Sequence, residues 1–209
     1  PFYLRIPSWT RKAQVKVNGK RMKVSPVAGE YFRIERTWKN GDRVELVLPM
    51  HLTMRTWQVN KNSVSVNYGP LTLSLKIGEE FIRRDSRETA IGDSKWQKGA
   101  DAENWPSYEI HPTTAWNYAL VLGEKDPLEG FEVVKKSWPS DNFPFTPGNV
   151  PLEVKAQGRR IPSWKIDKYG LCAVLPETDA PKSPQIENIT LIPMGAARLR
   201  ISAFPAVSE

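Results

Sequence analysis

Gln14–Val24 reads QVKVNGKRMKV, and this stretch decides the class of fold. Val15 and Val17 alternate with Lys16 on one side of Asn18-Gly19, and Met22 and Val24 with Lys23 on the other. Alternation of period two gives a strand one apolar and one solvated face. Asn-Gly supplies two residues that tolerate positive φ, so the two runs fold back as a β-hairpin. The pattern spreads outward. EYFRIERTW alternates Phe32 and Ile34 with Arg33 and Glu35, KNGDRVELVLP turns into Val44, Leu46 and Leu48, and SVSVNYGPLTLSLKI gives two short strands about Gly69-Pro70. No stretch has convincing amphipathic helical periodicity. Short strands punctuated by Gly, Pro and Asn predict an all-β protein built from antiparallel sandwich, jelly-roll-like units.

From Gly78 to Asn104 the alternation dissolves into a charged, Gly-containing tract, GEEFIRRDSRETAIGDSKWQKGADAEN. A helical turn or two around Glu79–Arg84 is the most its pattern allows, and we expect a linker or long loop. Beyond it SYEIHP, WNYALVL, GFEVVKK, PLEVKAQGRRI, LCAVLP, ENITLIPM and ARLRISAFP read as short strands, bounded by Pro-rich loops. Two sandwiches in tandem follow: a unit over 1–77, a connection over 78–104 and a second unit over 105–209. Phe2, Leu4 and Ile6 already alternate with Tyr3 and Arg5, so a strand is under way at the first residue. We expect the chain to be part of something longer.

Net charge is +7, placed unevenly. Residues 1–77 hold fourteen Lys/Arg against four Asp/Glu, and the remainder sixteen against nineteen. Arg5, Lys16, Arg33 and Arg43 fall at outward strand positions among Glu35 and Glu45, as on a solvated sheet face. No zinc-finger, helix-turn-helix or RNA-binding pattern accompanies the charge, so nucleic acid is not expected as a partner. No apolar run approaches the about 20 residues a membrane-crossing helix needs.

Candidate chemistry is sparse. Cys172 is the one cysteine, and its apolar neighbours predict a buried, inert thiol. His51 and His111 are the only histidines and stand far apart, so no metal site is expected. The acidic pairs Glu79-Glu80 and Asp101/Glu103 lack the apolar wall that would raise a carboxyl pKa for glycoside hydrolysis. They read as solvated charge, and no catalytic residue is assigned. Asn188-Ile189-Thr190 matches an N-glycosylation acceptor but sits inside an expected strand. Eight tryptophans invite a sugar-binding reading, because a flat indole stacks on a sugar ring. Trp is buried on average and anchors small β cores, and Trp38 and Trp116 read that way. Trp96, Trp105 and Trp138 lie in polar loops and are the candidate sugar-binding residues. The repeated tetrapeptide IPSW, at Ile6–Trp9 and Ile161–Trp164, is followed by unrelated sequence. It reads as one kind of strand ending reached twice, not as a duplicated module.

Taken together, LRIPSW, VKVNGK, GEYFRIERTWKNGDRVELVLPM and VSVNYGPLTLSL resemble the region after the catalytic barrel in glycoside hydrolase family 127, the β-L-arabinofuranosidase-like enzymes. WNYAL at Trp116–Leu120 and the closing ITLIPMGAARLRISAFP are similar to bacterial members. The resemblance implies an N-terminal (α/α)6 barrel that carries a cysteine nucleophile beside a zinc ion. Cys172 does not stand in that motif, so no catalytic residue carries over and no cofactor is implied within this chain. It further implies an accessory portion that packs on the barrel of the same polypeptide, with glycan and a second copy in a homodimer as further partners. The setting implied is periplasmic or extracellular, with a cytoplasmic enzyme as the alternative. A reading from another class stays open, an independent carbohydrate-binding module using loop tryptophans.

Overall fold

The computed structural model describes residues 1–84, 103–104 and 106–208. The Asn-Gly hairpin forms as expected: β2 (Gln14–Val17) and β3 (Lys20–Arg21) flank Asn18 and Gly19, whose φ values are +51° and +77°. Positive φ at both turn positions is the type I′ geometry that matches strand twist. Asn18 also locks this turn to the next one. Its Oδ1 accepts from the Arg43 backbone N–H and its Nδ2 donates to Asp42 Oδ1 at 2.7 Å. β2 pairs with β5 (Val44–Val47), and β1 (Phe2–Arg5) pairs with β4 (Tyr31–Ile34) in a separate two-stranded sheet. The inner faces meet in a small core of Ile6, Ala13, Val15, Val17, Phe32 and Ile34, bordered by Leu4, Met22, Val44, Leu46 and Leu48.

The remaining strands build the larger sheet, and here the pairing differs from the expected division. β6 (Leu52–Trp57), β7 (Ser63–Tyr68) and β8 (Leu71–Leu75) fall inside the expected 1–77 unit. They pair instead with the C-terminal strands. β8 lies antiparallel to β14 (Ile186–Pro193), with Leu75 opposite Leu191 and Leu73 opposite Pro193. The physical reason is where the apolar faces point. Val64, Val66, Leu73 and Leu75 share one core with Leu120, Val154, Ile189, Leu191 and Phe204, while the core of the first strands closes with residues up to Leu48.

β14 continues to β13 (Leu152–Arg160), whose other edge is shared by β12 (Glu132–Lys135) and β11 (Tyr118–Leu122). β15 (Ala206–Ser208) pairs parallel to β11, the one parallel pair among the described residues. The described start of the expected connection also differs from its pattern. β9 (Glu79–Arg84) is a strand, not a helical turn, and pairs with β10 (Ser107–Pro112). Cross-strand pairs explain it: Phe81 packs edge-on against Tyr108 and Arg84 meets Glu109 at 3.0 Å. Residues 85–102 lie outside the described residues.

Two sequence readings change at the C-terminal end. ARLRISAFP is not one strand. One turn of 3-10 helix (Met194–Ala196) is followed by a wedge over 201–204 that enters where β7 and β8 part. Leu75 N–H donates to Ile201 O, and Val64 and Phe204 exchange two backbone hydrogen bonds. LCAVLP does not join the sheet either. Asp167 Oδ1 accepts from the N–H groups of Tyr169 and Leu171, and Gly170 takes φ +80°, closing an outlying hairpin with Ile166 opposite Cys172. Cys172 is therefore exposed, contrary to expectation.

The two IPSW copies share Ile6 and Ile161, both fully buried, and then part ways. Trp164 is buried, packs edge-on against Trp116 at 5.2 Å and donates from Nε1 to Ala173 O, whereas Trp9 is half-buried.

Separate cores predict separable stabilities. Ile34→Ala should cost about 2–5 kcal/mol and speed amide exchange through β1–β5. Hydrogen exchange of β13 and β14 should stay at wild-type rates, and a uniform loss of protection would show a single cooperative core.

Candidate functional site

Of the expected sugar-binding residues, Trp96 and Trp105 lie outside the described residues. Trp138 stands exposed in the loop after β12, its Nε1 donating to Asn142 Oδ1 at 2.7 Å. Phe143 and Phe145 of the same loop pack edge-on at 5.5 Å, and both are exposed. Trp38 packs against Phe2 with the Arg36 guanidinium over its ring, so it closes the edge of the small sandwich.

The acidic pairs do not form a catalytic dyad. Glu79 accepts from the backbone N–H groups of Arg198 and Leu199 and from the Arg198 guanidinium, clamping the loop before the wedge. Glu103 pairs with Arg83 at 3.1 Å, and Asp101 lies outside the described residues. Hydrogen bonds from Arg84 and His111 hold the Glu109 carboxyl below its usual range, at the solvent surface. Among the described residues no group of His, Cys, Asp and Glu is placed to hold a metal ion. Asn188–Thr190 lies within β14, as its alternation suggests.

Two polar clusters brace the large sheet. On β13, the buried Glu153 receives Lys76 and Lys136 at 2.7 Å and Lys155 at 3.2 Å. Burial pushes its carboxyl up, but hydrogen bonds from Lys136, Lys76 and Lys155 outweigh this and hold it at about 2. The acid thus links β8, β12 and β13. At the opposite end of β13, Tyr118 Oη donates to Glu187 Oε2 at 2.7 Å, with Arg160 Nε 3.3 Å from the other carboxylate oxygen. Burial and Glu187 raise the Tyr118 phenol, which is therefore a fixed donor at neutral pH, not a base. This second cluster latches β11, β13 and β14. Neither has the open acceptor or paired acids that a hydrolytic site needs.

A cleft of about 420 Å³ opens where the wedge separates β7 from β8. Strand register puts Arg55, Trp57, Ser65, Asn67 and Thr72 on one sheet face, and Asn60, Ser202 and Ala203 complete the wall. The Arg55 guanidinium stands 3.6 Å over the Trp57 ring, and Trp57 Nε1 donates to Ser65 Oγ at 3.0 Å. The sequence reading did not single out these residues. Their signal is the alternation of Arg55 and Trp57 in LTMRTW, facing Ser63, Ser65 and Asn67 in SVSVN, which sets polar side chains beside one indole on a single face of the sheet.

Fold and surface together define an all-β sandwich protein whose polar clusters stiffen the sheet. Residues 1–50 match the family model for the middle domain of GH127 β-L-arabinofuranosidase. Three solved structures match across nearly the whole chain. One is described as a glycoside hydrolase (19% identity, TM-score 0.52, 98% of this chain and 27% of that one). Another is a GH127 β-L-arabinofuranosidase from Geobacillus stearothermophilus T6 (18%, 0.50, 99% and 26%), and the third a GH127 β-arabinofuranosidase (18%, 0.50, 98% and 25%). No curated protein matches the chain. Residues 1–50 are thus similar to the middle domain of GH127 β-L-arabinofuranosidase, and the chain shares its fold with those structures and spans about a quarter of their length.

The Glu153 cluster makes acid stability its test. Its folded pKa lies below the ordinary 4.5, so its contribution is complete above pH 4.5 and is lost as pH falls toward about 2. Glu153→Gln should therefore cost on the order of 2 kcal/mol at neutral pH, allowing for screening of the half-exposed ammonium groups. In urea unfolding at stepped pH, the gap between wild type and variant should close below pH 4.

Proposed function

We propose that this chain is the non-catalytic β-sandwich portion of a family 127 glycoside hydrolase and packs against a catalytic (α/α)6 barrel of the same polypeptide. The carrying observation is that the fold maps almost whole onto about a quarter of each of three glycoside hydrolase structures, with a GH127 middle domain at residues 1–50. On this reading the complete enzyme acts on arabinose-containing or related plant glycans outside the cytoplasm. The chain supplies rigidity, not chemistry. The division between its two sandwiches then lies near residue 50, where the small core closes, not in the 78–104 segment.

The charge divides at the same place. Residues 1–50 hold eleven Lys/Arg against four Asp/Glu, and residues 51–209 hold nineteen of each. The whole net charge therefore sits on the small sandwich. Its β1–β4 outer face sets Tyr3 opposite Arg33 and Arg5 opposite Tyr31, all four exposed. Tyr and Arg are the side chains enriched at buried interfaces, because they combine area with directed hydrogen bonds. This face is the surface that docks an acidic flank of the barrel, and Trp138 with its neighbouring phenylalanines supports the second reading, a glycan-binding module.

Three outcomes check these readings. The isolated chain should not turn over an aryl arabinofuranoside, while the complete polypeptide should. Charge reversal of Arg5 and Arg33 to Glu in the complete enzyme should lower its melting temperature by several degrees without altering the isolated chain's. Equal melting of the variant and parent enzymes would remove this face from the interface. Fluorescence quenching of Trp138 by arabino-oligosaccharides, lost in Trp138→Ala, would favour the binding module.

A further inference from the structure

The cleft between β7 and β8 has the makings of a ligand site that the scaffold role does not use. Its volume, about 420 Å³, falls within the roughly 300–1,000 Å³ usual for small-molecule sites. Its one cation is Arg55, exposed, stacked on Trp57 and paired with no carboxylate of the described residues. Lys61, nearby in sequence, is already taken by Leu175 O and Glu177. Around Arg55 the hydrogen-bond accounting leaves specific groups unmet. Ser65 accepts from Trp57 and keeps its own hydroxyl proton to give. Thr72 donates to Asn67 Oδ1, which leaves both Asn67 Nδ2 protons and a Thr72 lone pair free. Asn60 spends Nδ2 on Ser63 and keeps its amide oxygen. Ser202 Oγ, on the wedge, is shut from solvent and has no partner among the described residues.

We propose that this cleft binds an acidic saccharide, a sugar bearing a uronate carboxylate. One guanidinium with a ring of hydroxyl and amide groups matches one carboxylate among many hydroxyls. A phosphate monoester, carrying close to two charges, would meet a single cation here. The Trp57 ring holds the Arg55 fork in place, reducing the side-chain entropy lost on bidentate pairing, and its apolar edge offers contact to the sugar C–H groups. Ser65 and Asn67 then donate to sugar oxygens, and Asn60 accepts. The site is separate from the Tyr3–Arg33 docking face and does not depend on it.

The test follows the indole Nε1–H resonance of Trp57, assigned by its disappearance in Trp57→Phe, as the whole chain is titrated with digalacturonate. Its methyl ester, a neutral arabino-oligosaccharide and inorganic phosphate serve as comparison ligands. A saturable shift with digalacturonate alone is expected. Arg55→Gln, at an exposed position with unchanged circular dichroism, should lose about tenfold or more in affinity. No saturable shift, equal binding of the methyl ester, displacement by phosphate, or full affinity in Arg55→Gln would each overturn the proposal.

Discussion

Three residue pairs between β8 and β14 hold the two ends of this chain together. Leu73 to Leu75 meet Pro193 to Leu191, so a sheet begun near residue 52 is completed by strands more than a hundred residues later. Without this seam β6–β8 would be a meander with an unpaired edge, and the C-terminal strands would have no continuation. The seam also fixes where everything else can be. It brings Lys76 to Glu153, sets the end of β8 beside Ile201, and lets the wedge part β7 from β8. The shared core, the three-lysine cluster and the polar cleft all descend from it.

The same seam explains why sequence and structure divide the chain differently. A composition shift across 78–104 suggested a boundary there, because charge sign and strand density both change. Composition reports the solvated face of each strand, however, and not its partner. The apolar faces of β7 and β8 look like those of β2 and β5, so nothing local says that Val64 and Val66 pack with Leu191 and not with Val15. Long-range pairing is the part of a β fold that period-two patterns leave open.

Local features were legible where the chemistry is local. The Asn18-Gly19 turn, the alternation of β4 and the strands WNYALVL and PLEVKAQGRRI follow from residue order alone. LCAVLP misled because its apolar residues suggest burial, while Asp167 and Gly170 turn the segment back on itself before it can reach the sheet. β9 was missed for the opposite reason. Its charged residues suggest loop, yet Phe81 and Arg84 find partners on β10. The cleft stayed hidden because it needs strand register and the wedge together. Loop tryptophans drew attention as sugar platforms, whereas Trp57 lies within a strand, and its significance comes from Arg55 two residues away.

The wedge has a further consequence for how the molecule is made. Residues 201–204 hydrogen-bond to β7 and β8, and β15 pairs with β11 only after them. During synthesis, strands β6–β8 therefore emerge long before the segments that cover their gap. Until residues 201–208 leave the ribosome, the edges around Val64 and Leu75 stay open to other chains. A nascent polypeptide halted short of residue 201 would carry a half-finished sheet with adhesive borders, and chaperone capture would be concentrated in that interval.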